Sequence, residues 1–375
     1  MTDAANATAA GKLLVSTRKG LFWVIRNATG RWAIDRADFL GDNVTLTLTD
    51  PRSGTHYAAL DHGHFGVKVH RNTGSGWEEI AAPAYPPKPD DLVENDMWGR
   101  PLAWSTARIW ALVPGGPDEP GVIWCGTLPG GLFKSTDHGT TWKMVRSLWD
   151  HPKRKMWMGG GADLPGIHSI LVDPRDSQHV AIAVSTGGIW HTSDGGETWT
   201  QRGEGMRADH VPPELTHDPI AQDVHCLVQC RAATNRMWVQ HHNGIFVSDD
   251  EGRTFRELPE AGPSTFGFPV AVHPEDPDTA WFVPEIKDEK RIPVGGRLVV
   301  TRTRDGGKTF DMLTTGLPQQ HAYDVVYRHG LALDPSGNRL AMGSTTGGLW
   351  ISEDQGDTWA EVSHTLPPVY AVRWG

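Results

Sequence analysis

Histidine at one repeated offset is the feature of this chain that carries the most chemistry. Six short apolar runs end at Asp50, Val113, Asp173, Cys230, His273 and Asp334, and five residues before those ends stand Thr45, Arg108, His168, His225, Phe268 and His329. A second set precedes, by two residues, the glycine that opens a later apolar run in each unit, and it includes Arg18, His64, Thr186, His242 and Thr346. Neutral imidazoles are ligands for Zn, Cu, Ni or Fe. His168, His225, His329 and His242 are therefore expected to converge on one divalent transition metal. In that reading a metal-bound water is the nucleophile of a hydrolysis and a loop carboxylate, Asp163 or Glu214, takes its proton. Arg108, Arg154, His64, Tyr323 and Arg328 then contact a small polar substrate. Two other readings stay open. The histidines can form a metal-free polar site, or each can bond a neighbouring carbonyl and fill a wet channel, since no local motif such as His-Glu-x-x-His ties them to an ion.

Residues on separate runs meet only if a repeated architecture brings them to one place. Five copies of an octapeptide, Ser/Thr-x-Asp-x-Gly-x-Thr-Trp/Phe, supply it: Ser135 to Trp142, Thr192 to Trp199, Ser248 to Phe255, Thr303 to Phe310 and Ser352 to Trp359. Eroded copies end at Trp32 and Trp77. Each copy follows a short apolar run opened by glycine, as in Gly131-Leu132-Phe133 and Gly188-Ile189-Trp190. The Gly is expected to take a positive φ in a tight turn, the Asp to accept several of that turn's N–H groups, and the aromatic to pack back inside. The octapeptide thus reads as the turn between the third and fourth strands of a four-stranded unit. Seven such units at a period of roughly 45–65 residues predict a seven-bladed β-propeller, an all-β fold. An Asp present in every unit serves what every unit needs, so these acids are structural rather than catalytic.

The octapeptide and its frame resemble the Asp-box (BNR-repeat) propellers, a group that includes sialidases, sortilin-type receptors and xyloglucan-active enzymes. The resemblance runs from about Leu13 to Trp374 and implies the fold, while the activities of that group are mixed. Sialidases carry an early Phe/Tyr-Arg-Ile-Pro motif. Here Arg291-Ile292-Pro293 follows Lys290 late in the chain. The resemblance implies two alternatives to the metal-dependent hydrolase. One is a metal-free glycosidase, which needs two facing carboxylates drawn from Asp150, Asp163, Glu214, Glu285 and Asp324. The other is a non-catalytic binding or assembly propeller.

The remaining sequence sets bounds. Residues 11–375 are expected to form a single propeller after a disordered stretch at 1–10. Pro368 to Trp374 reads as a strand and is expected to become the inner strand of the first blade beside Leu13 to Thr17, which closes the ring and removes an exposed edge. The long connections Pro83–Pro101, Ser147–Gly166 and Gly203–Asp223 are expected on one rim. A net charge of −10 without a Lys/Arg cluster argues against nucleic-acid and anionic-membrane partners and leaves a small molecule or glycan as the expected ligand. The start lacks a basic and apolar leader pattern, and Cys125, Cys226 and Cys230 are odd in number, so a reducing, cytoplasmic location is the expectation. The sequence leaves the oligomeric state open.

Overall fold

In the computed structural model, residues 11–96, 99–160 and 162–375 are described. The expected disorder of residues 1–10 lies outside them. Seven antiparallel sheets form a ring of blades, each ordered from the inner to the outer strand. Blade 1 runs Val369–Trp374, Lys12–Thr17, Gly20–Arg26 and Trp32–Asp38; blade 2 runs Val44–Thr49, His56–Asp61, Val67–Asn72 and Trp77–Ile80. Blades 3, 4 and 5 begin with the inner strands Arg108–Pro114, Ile167–Val172 and Val224–Gln229, and blades 6 and 7 with Gly267–Val272 and Leu331–Leu333. Blade 6 carries an extra strand, Lys290–Pro293, paired with Ala280–Lys287. The ring closes through the C-terminal strand, with Leu13 opposite Trp374, Leu14 opposite Arg373 and Val15 opposite Val372.

The octapeptides form the expected turns between third and fourth strands. In the first full copy Ser135 Oγ accepts from Gly139 N at 2.9 Å and donates to Asp137 Oδ1 at 2.8 Å. Asp137 Oδ1 also accepts from Thr141 N at 2.8 Å, and Oδ2 from Thr141 Oγ1 at 2.6 Å. The same bonds recur around Asp194, Asp250, Asp305 and Asp354. The turn needs glycine on two counts. Gly307 has φ +87°, and a Cβ there would lie 2.4 Å from Leu258 Cδ1 of the preceding blade.

Each seam between adjacent blades holds its own apolar cluster. Trp124 and Trp190 belong to the cluster between blades 3 and 4, and Trp281 and Trp350 to the cluster between blades 6 and 7. These four rings and Trp238 are almost wholly buried, so the aromatic plugs weld neighbouring blades rather than fill one centre. The long connections do gather on one rim. Arg154 forms an ion pair with Glu94, its Nε donates to Trp149 O at 2.6 Å, and Arg100 pairs with Asp163 at 3.2 Å.

Candidate functional site at the channel mouth

A repeated defect in the inner strands builds the site. In six of the blades the pairing slips by a bulge that leaves an extra residue turned out of the ladder: Thr45, Trp110, His168, His225, Tyr370, and Phe268 with its neighbour Pro269. Bulges redirect side chains where a strand meets a functional surface. Blade 7 reaches the same end differently: His329 precedes its inner strand and its carbonyl accepts from Val372 N at 2.9 Å.

The bulged residue lies five positions before the residue whose N–H closes the inner hairpin. Those closures include Asp50 N to Thr55 O, Asp173 N to His179 O and Cys230 N to Arg236 O. In blade 3 the closing bond is Gly115 N to Val122 O, two residues later than Val113, where the apolar run ends in the sequence. Trp110 therefore takes the ring position expected for Arg108. A proline at 114 and a Gly-Gly pair hide the end of that strand in the sequence. Arg108 stands higher on the rim, 3.6 Å from Asp61.

Thr45, Trp110, Phe268, His329 and Tyr370 line a cavity of about 180 Å³ at the mouth of the channel. Asn43, Arg108, Arg291, Tyr327 and Arg328 complete its wall. Arg328 is 7% exposed, and its Nε and Nη2 are buried without hydrogen-bond partners among the described residues. Its guanidinium lies over Trp110, 4.6 Å from the ring centre, and 6.0 Å from that of Phe268. Arg328 and His329 also border a second cavity of about 380 Å³ in the lower channel, so they form a floor between mouth and channel.

The four expected metal ligands divide. His329 Nε2 bonds Trp110 O at 3.0 Å and its Nδ1 bonds Arg373 Nη2 at 3.0 Å. A carbonyl accepts and a guanidinium donates, so both ring nitrogens are engaged and the lone pair is taken. His168 pairs through Nδ1 with Ser169 Oγ at 3.0 Å and sits edge-on to Trp110, bordering the lower cavity. Burial holds both imidazoles well below their ordinary pKa, so both are neutral. His225 and His242 do come together, with Asp223 as a third member that the histidine ring did not reveal. Asp223 is the residue before the inner strand of blade 5, and its neighbourhood is a rim loop in sequence. Burial would raise its pKa, but the hydrogen bond and charge of His242 outweigh this and hold it below the usual carboxylate range. Burial pushes His225 down to about 4. Burial also opposes the charged form of His242, yet the bond and charge of Asp223 raise its pKa overall.

The other expected site residues lie apart. Asp163 is 68% exposed in its ion pair with Arg100, and Glu214 is exposed in a short 3-10 turn, Pro213–Leu215. His64 is exposed in the turn Gly63–Phe65 with its ring tilted against Phe65, while Tyr323 is 58% exposed. None of these lines the mouth cavity, nor does Arg154, which is buried as the clamp of the rim loops. Glu285 and Asp324 are neighbours, but Glu285 is fully buried and lines neither the mouth nor the lower cavity.

The fold and the site define a seven-bladed propeller whose mouth cavity has an aromatic wall and a buried arginine with two nitrogens unpartnered among the described residues. No protein-family model matches the chain. It is 24% identical over 388 residues to a probable oligoxyloglucan-reducing end-specific xyloglucanase of Neosartorya fischeri, across 92% of this chain and 43% of that one. The GH74 xyloglucanase of Xanthomonas campestris superposes with a TM-score of 0.63 at 17% identity, over 93% of this chain and 52% of that one. A periplasmic gluconolactonase of Pseudomonas aeruginosa gives a TM-score of 0.59 at 10% identity, over 97% and 98%. At these identities the likeness is one of fold. The chain spans about half the length of the xyloglucanases it matches.

Proposed function

We propose that the chain is a glycan-directed propeller of the glycoside hydrolase kind, which seats one sugar unit bearing an acidic group in the mouth cavity. The observation that carries this reading is Arg328. It is buried, has two N–H-bearing nitrogens without partners and is held on an aromatic face beside the cavity. A carboxylate, sulfate or phosphate seated in the cavity would offset the buried positive charge of this guanidinium. Trp110, Phe268, Tyr327 and Tyr370 offer ring faces and edges for the apolar side of a sugar, and Asn43 and Thr45 offer hydrogen bonds. A cavity of about 180 Å³ suits a single ring rather than a polymer. The xyloglucanase likeness supports carbohydrate as the ligand class.

Hydrolysis needs two carboxylates across the sugar. The candidates are Asp61 and Asp288, each ion-paired with an arginine of the cavity wall, Arg108 and Arg291 respectively. Asp61 belongs to blade 2 and Asp288 to the hairpin of blade 6, on far sides of the ring. One observation favours a second reading, a binding propeller without hydrolysis: no residue of the cavity wall is itself a carboxylate.

The test is a panel of neutral and acidic oligosaccharides, scored for binding by calorimetry and for new reducing ends. Acidic sugars should bind, and Arg328→Met should weaken them at least ~10-fold. Equal binding of neutral sugars, with Arg328→Met without effect, would overturn the assignment. Hydrolysis lost in Asp61→Asn and Asp288→Asn with binding retained supports the enzyme. Binding without any hydrolysis by the unsubstituted protein selects the second reading.

A further inference from the structure

Beside the sugar cavity, blade 5 gathers three hydrogen-bond acceptors with too few donors among them. Asp223 precedes the inner strand, His225 is that strand's bulged residue, and His242 lies in the turn between Met237–His241 and Gly244–Ser248. His225 Nδ1 is 2.7 Å from Gly267 O. A carbonyl can only accept, so Nδ1 carries the hydrogen and Nε2 presents a lone pair. That lone pair is 3.9 Å from Asp223 Oδ1, an oxygen that is buried without a hydrogen-bond partner among the described residues. Asp223 as a whole is 5% exposed. Its other oxygen, Oδ2, is 3.5 Å from His242 Nδ1, and one ligand atom from each residue falls within 4.8 Å of the others.

A proton on His242 accounts for the contact with Oδ2. It leaves Oδ1 and the lone pair of His225 Nε2 facing each other with no positive charge between them. A cation between the three satisfies all of them at once, and a buried carboxylate with a free oxygen is otherwise costly.

We propose that Asp223, His225 and His242 form a binding site for one divalent first-row transition ion of the Zn(II) type. The donor set of two imidazoles and one carboxylate suits such ions and excludes a preference for Mg or Ca, which take oxygen donors. Bonds of about 2.0–2.1 Å in a tetrahedron place ligand atoms roughly 3.3–3.4 Å apart. The Asp223–His242 pair at 3.5 Å is already near that spacing, and the Asp223–His225 pair at 3.9 Å needs a closure of about half an ångström. The bond from His225 to Gly267 O is the outer contact that fixes a ligating imidazole in one tautomer. His242 is partly exposed, so the side of the ion toward the rim stays open to water or ligand. His225 stacks on Phe268, a wall residue of the mouth cavity, at 4.8 Å between ring centres, so the ion would stand one side chain away from a seated sugar. The site is independent of the sugar reading, since Arg328 and not the ion receives the acidic group there.

The experiment uses the full chain without a histidine tag, stripped with a chelator and titrated with zinc chloride by calorimetry. Cobalt(II) is titrated in parallel by visible absorption. One equivalent should bind, and the cobalt form should show the intense bands of a four- or five-coordinate centre. Asp223→Asn and His242→Ala should each weaken zinc at least ~100-fold, as expected when a direct ligand is lost. His364→Ala, on an exposed turn of the outer rim, should leave the titration unchanged. If Asp223→Asn fails to fold, His242→Ala and the cobalt spectrum decide, because His242 is partly exposed in a turn. Absence of saturable binding overturns the proposal. So does one-equivalent binding that survives the His242 substitution, which would place the ion elsewhere.

Discussion

Replacing Glu285 by Gln should change how stability depends on pH, and the size of the change follows from where the side chain sits. Glu285 lies in the second strand of blade 6, is fully buried, and neither carboxyl oxygen has a hydrogen-bond partner among the described residues. Burial, with the nearby charge of Asp324 adding to it against a partial pull from the Val326 backbone N–H, raises its pKa from 4.5 to about 8. Between those two values the folded protein keeps a proton that the unfolded chain has released. Stability supplied by the neutral acid is therefore complete below pH 4.5 and falls as pH rises toward 8. The slope is about 1.4 kcal/mol per pH unit for one proton, so raising the pH from 5 to 8 should cost the native protein roughly 4 kcal/mol. Gln keeps the shape of the side chain and cannot ionise. Whatever the variant's offset at pH 5, its stability relative to the native protein should improve by roughly that amount at pH 8. At ~2 cal/mol/K of unfolding entropy per residue, 4 kcal/mol corresponds to about 5 °C in Tm for a chain of this size. Thermal melts of both proteins at pH 5, 6, 7 and 8 measure it, with urea titrations at the two extremes. Parallel curves across that range would refute the argument, since they would mean that Glu285 releases its proton as readily in the folded state as in water.

Two other substitutions test structural assignments. Asp137→Ala removes the acceptor of Thr141 N, Thr141 Oγ1 and Ser135 Oγ in an octapeptide turn, and should cost about 1–2 kcal/mol in urea unfolding with any ligand binding per folded molecule intact. Lost binding at unchanged stability would return the octapeptide acids to the list of functional residues. Arg154→Met leaves Glu94 buried with Trp104 Nε1 as a remaining partner at 2.8 Å, and should destabilise by roughly 3–5 kcal/mol, as for half of a buried ion pair. An unchanged melting transition together with weakened ligand binding would show Arg154 to be a substrate contact after all.

The sequence by itself determined the ring. The octapeptide ties glycine, aspartate and an aromatic into one local turn, and local hydrogen bonds such as Ser135 to Gly139 need nothing from the rest of the chain. Seven such turns set the blade count, and the orphan strand near Tyr370 pointed to the closure because a ring with an open edge is unsatisfied. The same repeat placed His225, Phe268, His329 and Tyr370 at one height around the axis. What each of them does there was decided by tertiary structure. The partners that set a histidine's role come from other blades: Trp110 O and Arg373 occupy His329, while Gly267 O turns the free nitrogen of His225 toward Asp223. Asp223 and Arg328 sit beside the ring positions in sequence and carry no motif. Their significance lies in buried polar atoms, Asp223 Oδ1 and Arg328 Nε and Nη2, that have no hydrogen-bond partner among the described residues, and that is a property of the packed ring that no spacing along the chain can express.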